Sequence, residues 1–172
     1  LPLKQPKFVA VVGEDAGPNP KGPNGCADRG CDQGTLAMGW GSGSTEFPYL
    51  VTPDSAIQSK VLEYGGRYES IFDNYDDNAI SALVSQPDAT CIVFGNADSG
   101  EGYITVDNNW GDRNNLTLWQ NADHVIRTVS SLCSNTIVVL HSVGPVLLND
   151  FYVHPNITAI VWAGMPGEES GN

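Results

Sequence analysis

The sequence predicts an α/β fold, a mainly parallel sheet sandwiched by helices, and three observations predict it. Four short runs, at 8–12, 90–94, 136–141 and 157–162, are rich in Val, Ile and Phe and almost free of charge, as strands covered on both faces are. Amphipathic stretches of helical period alternate with them. The 172 residues are 41% hydrophobic and only 16% charged, too apolar for a disordered acidic tail. A chain of this length buries about 70% of its unfolded surface and needs no metal to fold.

The elements come in order. The run 8–12 reads Phe-Val-Ala-Val-Val. Thr52 then stands as a capping residue with Pro53 at the first helical position, and Ile57, Val61 and Leu62 give an apolar stripe that stops at Gly65-Gly66. A second helix is expected over 76–85, with Ile80, Leu83 and Val84 on one face, ending before Pro87. A third is expected over 121–132, carrying Val125, Ile126, Val129 and Leu132. A short fourth helix is expected over 145–151, ahead of the last strand. No repeat or low-complexity tract interrupts the pattern.

Charge narrows the partners. Eight Lys and Arg against 20 Asp and Glu give a net charge of −12, which repels nucleic-acid phosphates and an anionic membrane surface alike. No run approaches the roughly 18 apolar residues of a membrane span. The four cysteines speak to compartment. Cys26 and Cys31 lie in a loop rich in Gly, Pro and Asp, where a disulfide would hold a segment with little apolar content of its own. A zinc site would need four such ligands at one point, but Cys91 opens an apolar run and Cys133 closes a helical one. Two N-x-S/T triplets, at Asn115 and Asn156, are read as N-glycosylation sites. With the disulfide and the acidic charge, they predict a secreted protein.

Ligands of an open α/β sheet bind beyond the carboxyl ends of its strands, so the residues just past each run are informative. Gly13-Glu14-Asp15 comes after the first, and the second leads to Asp98-Ser-Gly-Glu101-Gly-Tyr103. His141-Ser142-Val-Gly144 closes the third, and Gly167-Glu168-Glu169 lies beyond the fourth. Carboxylates and glycines dominate, with no basic cluster to neutralise a phosphate. The glycines at 39, 41 and 43 come after no clear strand and lack dinucleotide spacing. Leu140 stands where a nucleophile elbow before Ser142 needs glycine, so His141-Ser142 is read as a polar strand end. The stretch 107–112 lacks the glutamate that closes a calcium loop. His124, His141 and His154 are scattered over different elements and make no metal set. Neither a metal nor a cofactor is expected.

Glu101 is the acid singled out by its surroundings. Flanking glycines let backbone approach a ligand, and Tyr103 offers a stacking face, an arrangement suited to general-acid work beside a sugar. The plain alternative is a solvated loop acid.

Four long runs carry a resemblance. They are Asn96-Ala-Asp-Ser-Gly-Glu-Gly-Tyr-Ile104, Gly111-Asp-Arg-Asn-Asn-Leu-Thr-Leu118, Ile137-Val-Val-Leu-His-Ser-Val-Gly-Pro145 and Val161-Trp-Ala-Gly-Met-Pro-Gly-Glu-Glu-Ser-Gly-Asn172. With Val11-Val-Gly-Glu-Asp-Ala-Gly17 and the Cys26 to Cys31 loop, the chain resembles the second, α/β sandwich domain of fungal β-glucosidases of glycoside hydrolase family 3. The resemblance implies a secreted, three-part enzyme that releases β-D-glucose from cellobiose and other β-glucosides with retention. It implies that Glu101 is the general acid/base and that Tyr103 lies at the aglycone subsite. It also implies partners missing from this sequence: a barrel domain with the nucleophilic aspartate and a fibronectin-type domain. On this reading residues 1–7 are a linker from the barrel and 8–172 are the sandwich domain, cut short at its C-terminal end. Cys91 is expected to be a buried free thiol, and Glu169 to complement a helix terminus. Two other readings stay open here: a non-catalytic sugar-binding module and a flavodoxin-like nucleotide-binding domain, the latter disfavoured by the missing phosphate cradle.

Overall fold

A computed structural model describes residues 1, 3–25, 33–39, 44–99, 105–106, 109–110 and 112–172. Its centre is a five-stranded parallel sheet. The strands are β1 (Phe8–Val12), β2 (Arg67–Ile71), β3 (Ala89–Ala97), β6 (Thr136–Ser142) and β7 (Ile157–Gly164), in spatial order β2-β1-β3-β6-β7. Between β3 and β6 lie two two-residue strands, β4 (Thr105–Val106) and β5 (Asn109–Trp110), paired antiparallel. The predicted fold class is observed.

Strand alternation sorts the core into two layers. Phe8, Ala10, Val12, Cys91, Val93, Val138 and Leu140 face α2 (Asp77–Val84) and α3 (Ala122–Leu132), which bring Ile80, Leu83, Val125, Ile126 and Val129. Val9, Val11, Ile92, Phe94 and Ile137 face the other way and meet Val61 of α1 (Pro53–Glu63). All five residues of β1 are buried, which explains why that run is apolar without alternation.

The helix ends reflect their capping chemistry. Thr52 Oγ1 accepts from the Ser55 N–H at 3.3 Å, and Asp76 Oδ1 accepts from the Ala79 N–H at 2.9 Å, satisfying donors that a first turn leaves over. The start of α3 is built differently, because Gln120 and Asn121 both have left-handed backbone, with φ of 53° and 59°. Buried Asn74 holds that turn: its Nδ2 donates to the Gln120 carbonyl at 2.6 Å, and its own carbonyl accepts from Asn121 Nδ2 at 3.0 Å. Its Oδ1 also accepts from the Glu14 N–H at 2.9 Å. One amide thus joins the end of β1 to the start of α3.

Two expectations are corrected, and one strand lies outside the predicted runs. That strand is β2 at the sheet edge, where Arg67-Tyr-Glu-Ser-Ile71 carries two charges and no apolar run. An edge strand has one side open to solvent, and its charges discourage pairing with another chain. Here Arg67 also stacks its guanidinium over Phe8, 4.2 Å from the ring centroid. The helix expected over 145–151 is absent. The Leu147 N–H bonds the Leu116 carbonyl at 2.8 Å instead, and turns occupy 149–153. Seven residues opened by proline give too few intrahelical bonds to offset nucleation. Finally, Cys91 is not a free thiol. It is joined by a disulfide to Cys133, with Cα atoms 6.5 Å apart across 42 residues of sequence. Cys91 points into the face that α3 covers, and Cys133 ends that helix, so the layer packing brings them together.

A polar rim at the carboxyl ends of the strands

β1 leaves the sheet at Gly13, where φ is 119° and an added Cβ would lie 2.4 Å from the Phe94 carbonyl oxygen. Only glycine turns the chain there. The 3-10 turn next in the chain, Glu14–Ala16, presents two carboxylates to the ends of the neighbouring strands. Asp15 is 2% exposed and accepts from three donors: His141 Nδ1 at 2.8 Å, the Leu36 N–H at 2.8 Å and Asn96 Nδ2 at 3.3 Å. Asn96 and His141 are register partners on β3 and β6, so pairing of the central strands sets this cluster directly.

A carboxylate only accepts, so the His141 Nδ1 carries the proton that Asp15 receives. Burial works against a charged imidazole, but the Asp15 charge and hydrogen bond outweigh it and raise the pKa of His141. The ring is 1% exposed and sits 6.0 Å from Phe94, centroid to centroid. Asp98, fully buried just past β3, accepts from the Ser99 N–H at 2.7 Å.

The segment 33–39 is drawn across this rim. Glu14 accepts from the Gly34 N–H, Gly17 O accepts from Thr35 twice, and the Gly167 N–H donates to the Ala37 carbonyl at 2.8 Å. Gly39 reaches Asp98, whose Oδ1 would lie 3.2 Å from a Cβ there. Carboxylates on one strand end therefore organise a loop that spans several others.

Beside the rim, between the turn after β6 and β7, lies an apolar groove of about 560 Å³ lined by Leu140, Val143, Pro145, Val146, Ile160 and Trp162. Among the described residues its walls hold no acid or base. The chemistry-bearing groups gather on the rim.

Of the residues predicted from sequence, Glu101 and Tyr103 lie outside the described residues, as do Cys26 and Cys31. The described chain before Glu101 runs through β3 to Asp98 and Ser99 on the rim. Asn115 is exposed, and its Oδ1 accepts from the N–H and Oγ1 of Thr117 at 3.1 and 2.7 Å. Asn156 is half-buried and donates from Nδ2 to the Ser130 carbonyl at 2.8 Å. Glu169 sits in a 3-10 turn, Gly167–Glu169, and accepts from Tyr49 Oη and Asn172 Nδ2, a structural engagement. Sequence reasoning missed the Asp15–Asn96–His141 cluster. Its signal was a polar residue at three successive strand ends, which becomes legible only once strand order is known.

Comparison with known proteins agrees with this geometry. The model of the glycosyl hydrolase family 3 C-terminal domain matches residues 1–172. A probable β-glucosidase A of Aspergillus terreus is 61% identical over the whole chain. A family 3 β-glucosidase structure from Neurospora crassa superposes with a TM-score of 0.96 at 65% identity, covering 99% of this chain and 20% of that one. A Chaetomium thermophilum β-glucosidase structure gives 0.97 at 66% identity, covering 100% of this chain and 21% of that one. The chain spans about one fifth of the length of the curated relative it matches, 20% for the Aspergillus terreus protein.

Proposed function

Because the chain belongs to glycosyl hydrolase family 3, as its C-terminal domain, we propose that it is the segment of a secreted, retaining β-glucosidase that supplies the acid/base carboxyl, Glu101. The observation that carries this is the rim itself. Strand β3 runs into buried Asp98 and then Ser99, among the polar ends of β1 and β6, and Glu101 comes two residues later in the sequence.

A retaining mechanism needs two carboxyl groups about 5–5.5 Å apart. The nucleophile comes from outside this chain, from an aspartate of a barrel domain in the same enzyme. To act as the acid Glu101 has to start protonated, a state that like-charge repulsion from a neighbouring nucleophile carboxylate favours. It gives its proton to the glycosidic oxygen of cellobiose or another β-glucoside as the C–O bond breaks and the aspartate attacks the anomeric carbon. The ionised Glu101 then takes a proton from water, which cleaves the glucosyl-enzyme and restores both carboxyls. Tyr103 stacks against the aglycone. The Cys26–Cys31 disulfide and glycans on Asn115 and Asn156 suit an extracellular enzyme. The Asn156 amide can keep its bond to Ser130 when glycosylated, since a substituted amide retains one N–H.

Glu101→Gln in the full-length enzyme tests the assignment. kcat/KM on cellobiose is expected to fall about 10²–10⁴-fold, while a dinitrophenyl glucoside, whose leaving group departs unaided, loses far less. Azide is expected to restore turnover and yield the β-glucosyl azide. Near-normal cellobiose hydrolysis by Glu101→Gln would remove the assignment.

A further inference from the structure

Arg113 stands where the chain returns from the stretch that contains Glu101. Its backbone N–H donates to Ser99 Oγ at 3.3 Å, which fastens residue 113 to residue 99 at the foot of that stretch. Its guanidinium reaches the other way, donating from Nη2 to the Pro145 carbonyl in the turn after β6. The buried Asp98 carboxylate adds an electrostatic hold. Burial depresses the Arg113 pKa, and the Asp98 charge acts to raise it. Residue 113 therefore links the foot of the stretch, through its backbone, to the turn beyond β6, through its side chain, with its charge in the field of Asp98. The two ties are of different kinds: the backbone N–H makes the bond to Ser99, and the side chain makes the bond to Pro145.

We propose that Arg113 is a positioning residue for the acid/base carboxyl: by clamping Ser99, Asp98 and the Pro145 turn together, it fixes the base from which Glu101 is delivered to the glycosidic oxygen. This rests on the assignment of Glu101 above. Arg113 itself needs no contact with substrate. Its role is to hold the foot still, and a misplacement of about 1 Å at a reacting group can cost about a hundredfold in rate.

The test compares two substrates in the full-length enzyme, because a loss of folding lowers both equally while a misplaced acid does not. kcat/KM reports steps through formation of the glucosyl-enzyme. For Arg113→Gln, kcat/KM on cellobiose is expected to fall about ten- to a hundredfold, with dinitrophenyl glucoside changing less than about threefold. Arg113→Lys keeps the charge near Asp98 but replaces the guanidinium donor to the Pro145 carbonyl by a shorter ammonium, and is expected to fall between wild type and Arg113→Gln in the ratio of the two substrates. Ser99→Ala removes the acceptor of the Arg113 N–H and decides the matter if Arg113→Gln does not fold: a selective loss on cellobiose supports the clamp, and an unchanged ratio overturns it. An unchanged substrate ratio in every folded variant, with Glu101→Gln showing its selective loss, overturns the role of Arg113 alone. If Glu101→Gln shows no selective loss, both assignments fall.

Discussion

At its amino end β3 begins at Ala89, its Cys91 is covalently joined to Cys133 of α3, and the Cys91 N–H bonds the Asn135 carbonyl at 3.0 Å. At its carboxyl end the same strand carries Asn96, with Asp98 just beyond, both buried and both polar. β6 repeats the contrast, beginning with Thr136-Ile-Val-Val and ending with His141-Ser142. The amino ends of these central strands are held by apolar packing, a covalent link and hydrogen bonds between neutral groups, such as Asn135 Nδ2 to Thr90 Oγ1 at 3.1 Å, and none of these carries a charge. The carboxyl ends are held by charges and hydrogen bonds that depend on each partner being present. The difference teaches that stability and chemistry are divided along the length of the same strands, as expected where ligands gather at carboxyl ends.

The contrast breaks most visibly at Asp15. Asp15→Ala leaves His141 Nδ1, Asn96 Nδ2 and the Leu36 N–H without their shared acceptor, and removing one member of a buried pair costs roughly 3–5 kcal/mol. Unfolding midpoints of the protein that carries this chain, with faster amide exchange at Leu36, check this; an unchanged midpoint and unchanged exchange would mean the rim is not held by this carboxylate. At the opposite end, replacing Cys91 and Cys133 together by Ala should cost roughly 2–4 kcal/mol, since the link closes a long loop in the unfolded chain. The expected loss leaves the pH dependence of stability as it was, and a changed pH profile would count against the division of labour.

A pH series sharpens the comparison further. The His141 pKa is raised in the folded state, so the pair's contribution is fully present below the unfolded value of about 6.5. It is lost as pH rises through the higher folded value. Stability should therefore decline on the alkaline side of about 6.5, and Asp15→Asn should abolish that decline. A decline that survives Asp15→Asn assigns it to other groups. The smallest effect is expected at Thr52→Ala, about 1 kcal/mol from the lost cap on α1, readable as a small midpoint shift indifferent to pH.

Much of the fold was legible because burial writes itself into composition. β1, β3 and β6 are apolar runs and are buried, and α1 begins at Pro53 after Thr52 as its capping chemistry demands. β7 is as apolar but, as an edge strand, has no buried residue and leaves Trp162 64% exposed, against the expectation that it is covered on both faces. The elements that were not legible have identifiable causes. Arg67-Tyr-Glu-Ser-Ile71 is a strand only because β1 offers it an edge, and an edge needs no apolar run. The segment 145–151 shows helical spacing over too few residues, and Leu116 supplied a better partner for its backbone. For the site, Glu101 stood out by its flanking glycines and the motif around it. Arg113 and Asp15 did not, because neither carries a local pattern that sets it apart from the chain's other charged residues.

By itself the sequence determined the α/β class, the burial of its central strands and the family, and it singled out the acid on which the proposed chemistry turns. These are local or compositional properties, set by side-chain type and by spacings of a few residues. Only the tertiary structure decided that Cys91 meets Cys133, that Asp15 meets His141 across 126 residues, and that Arg113 bridges Ser99 and Pro145. Each of these pairings depends on strand order and on which face a helix covers. Such contacts form between residues distant in sequence once packing has closed the intervening loops, and nothing in the neighbourhood of either partner announces the other.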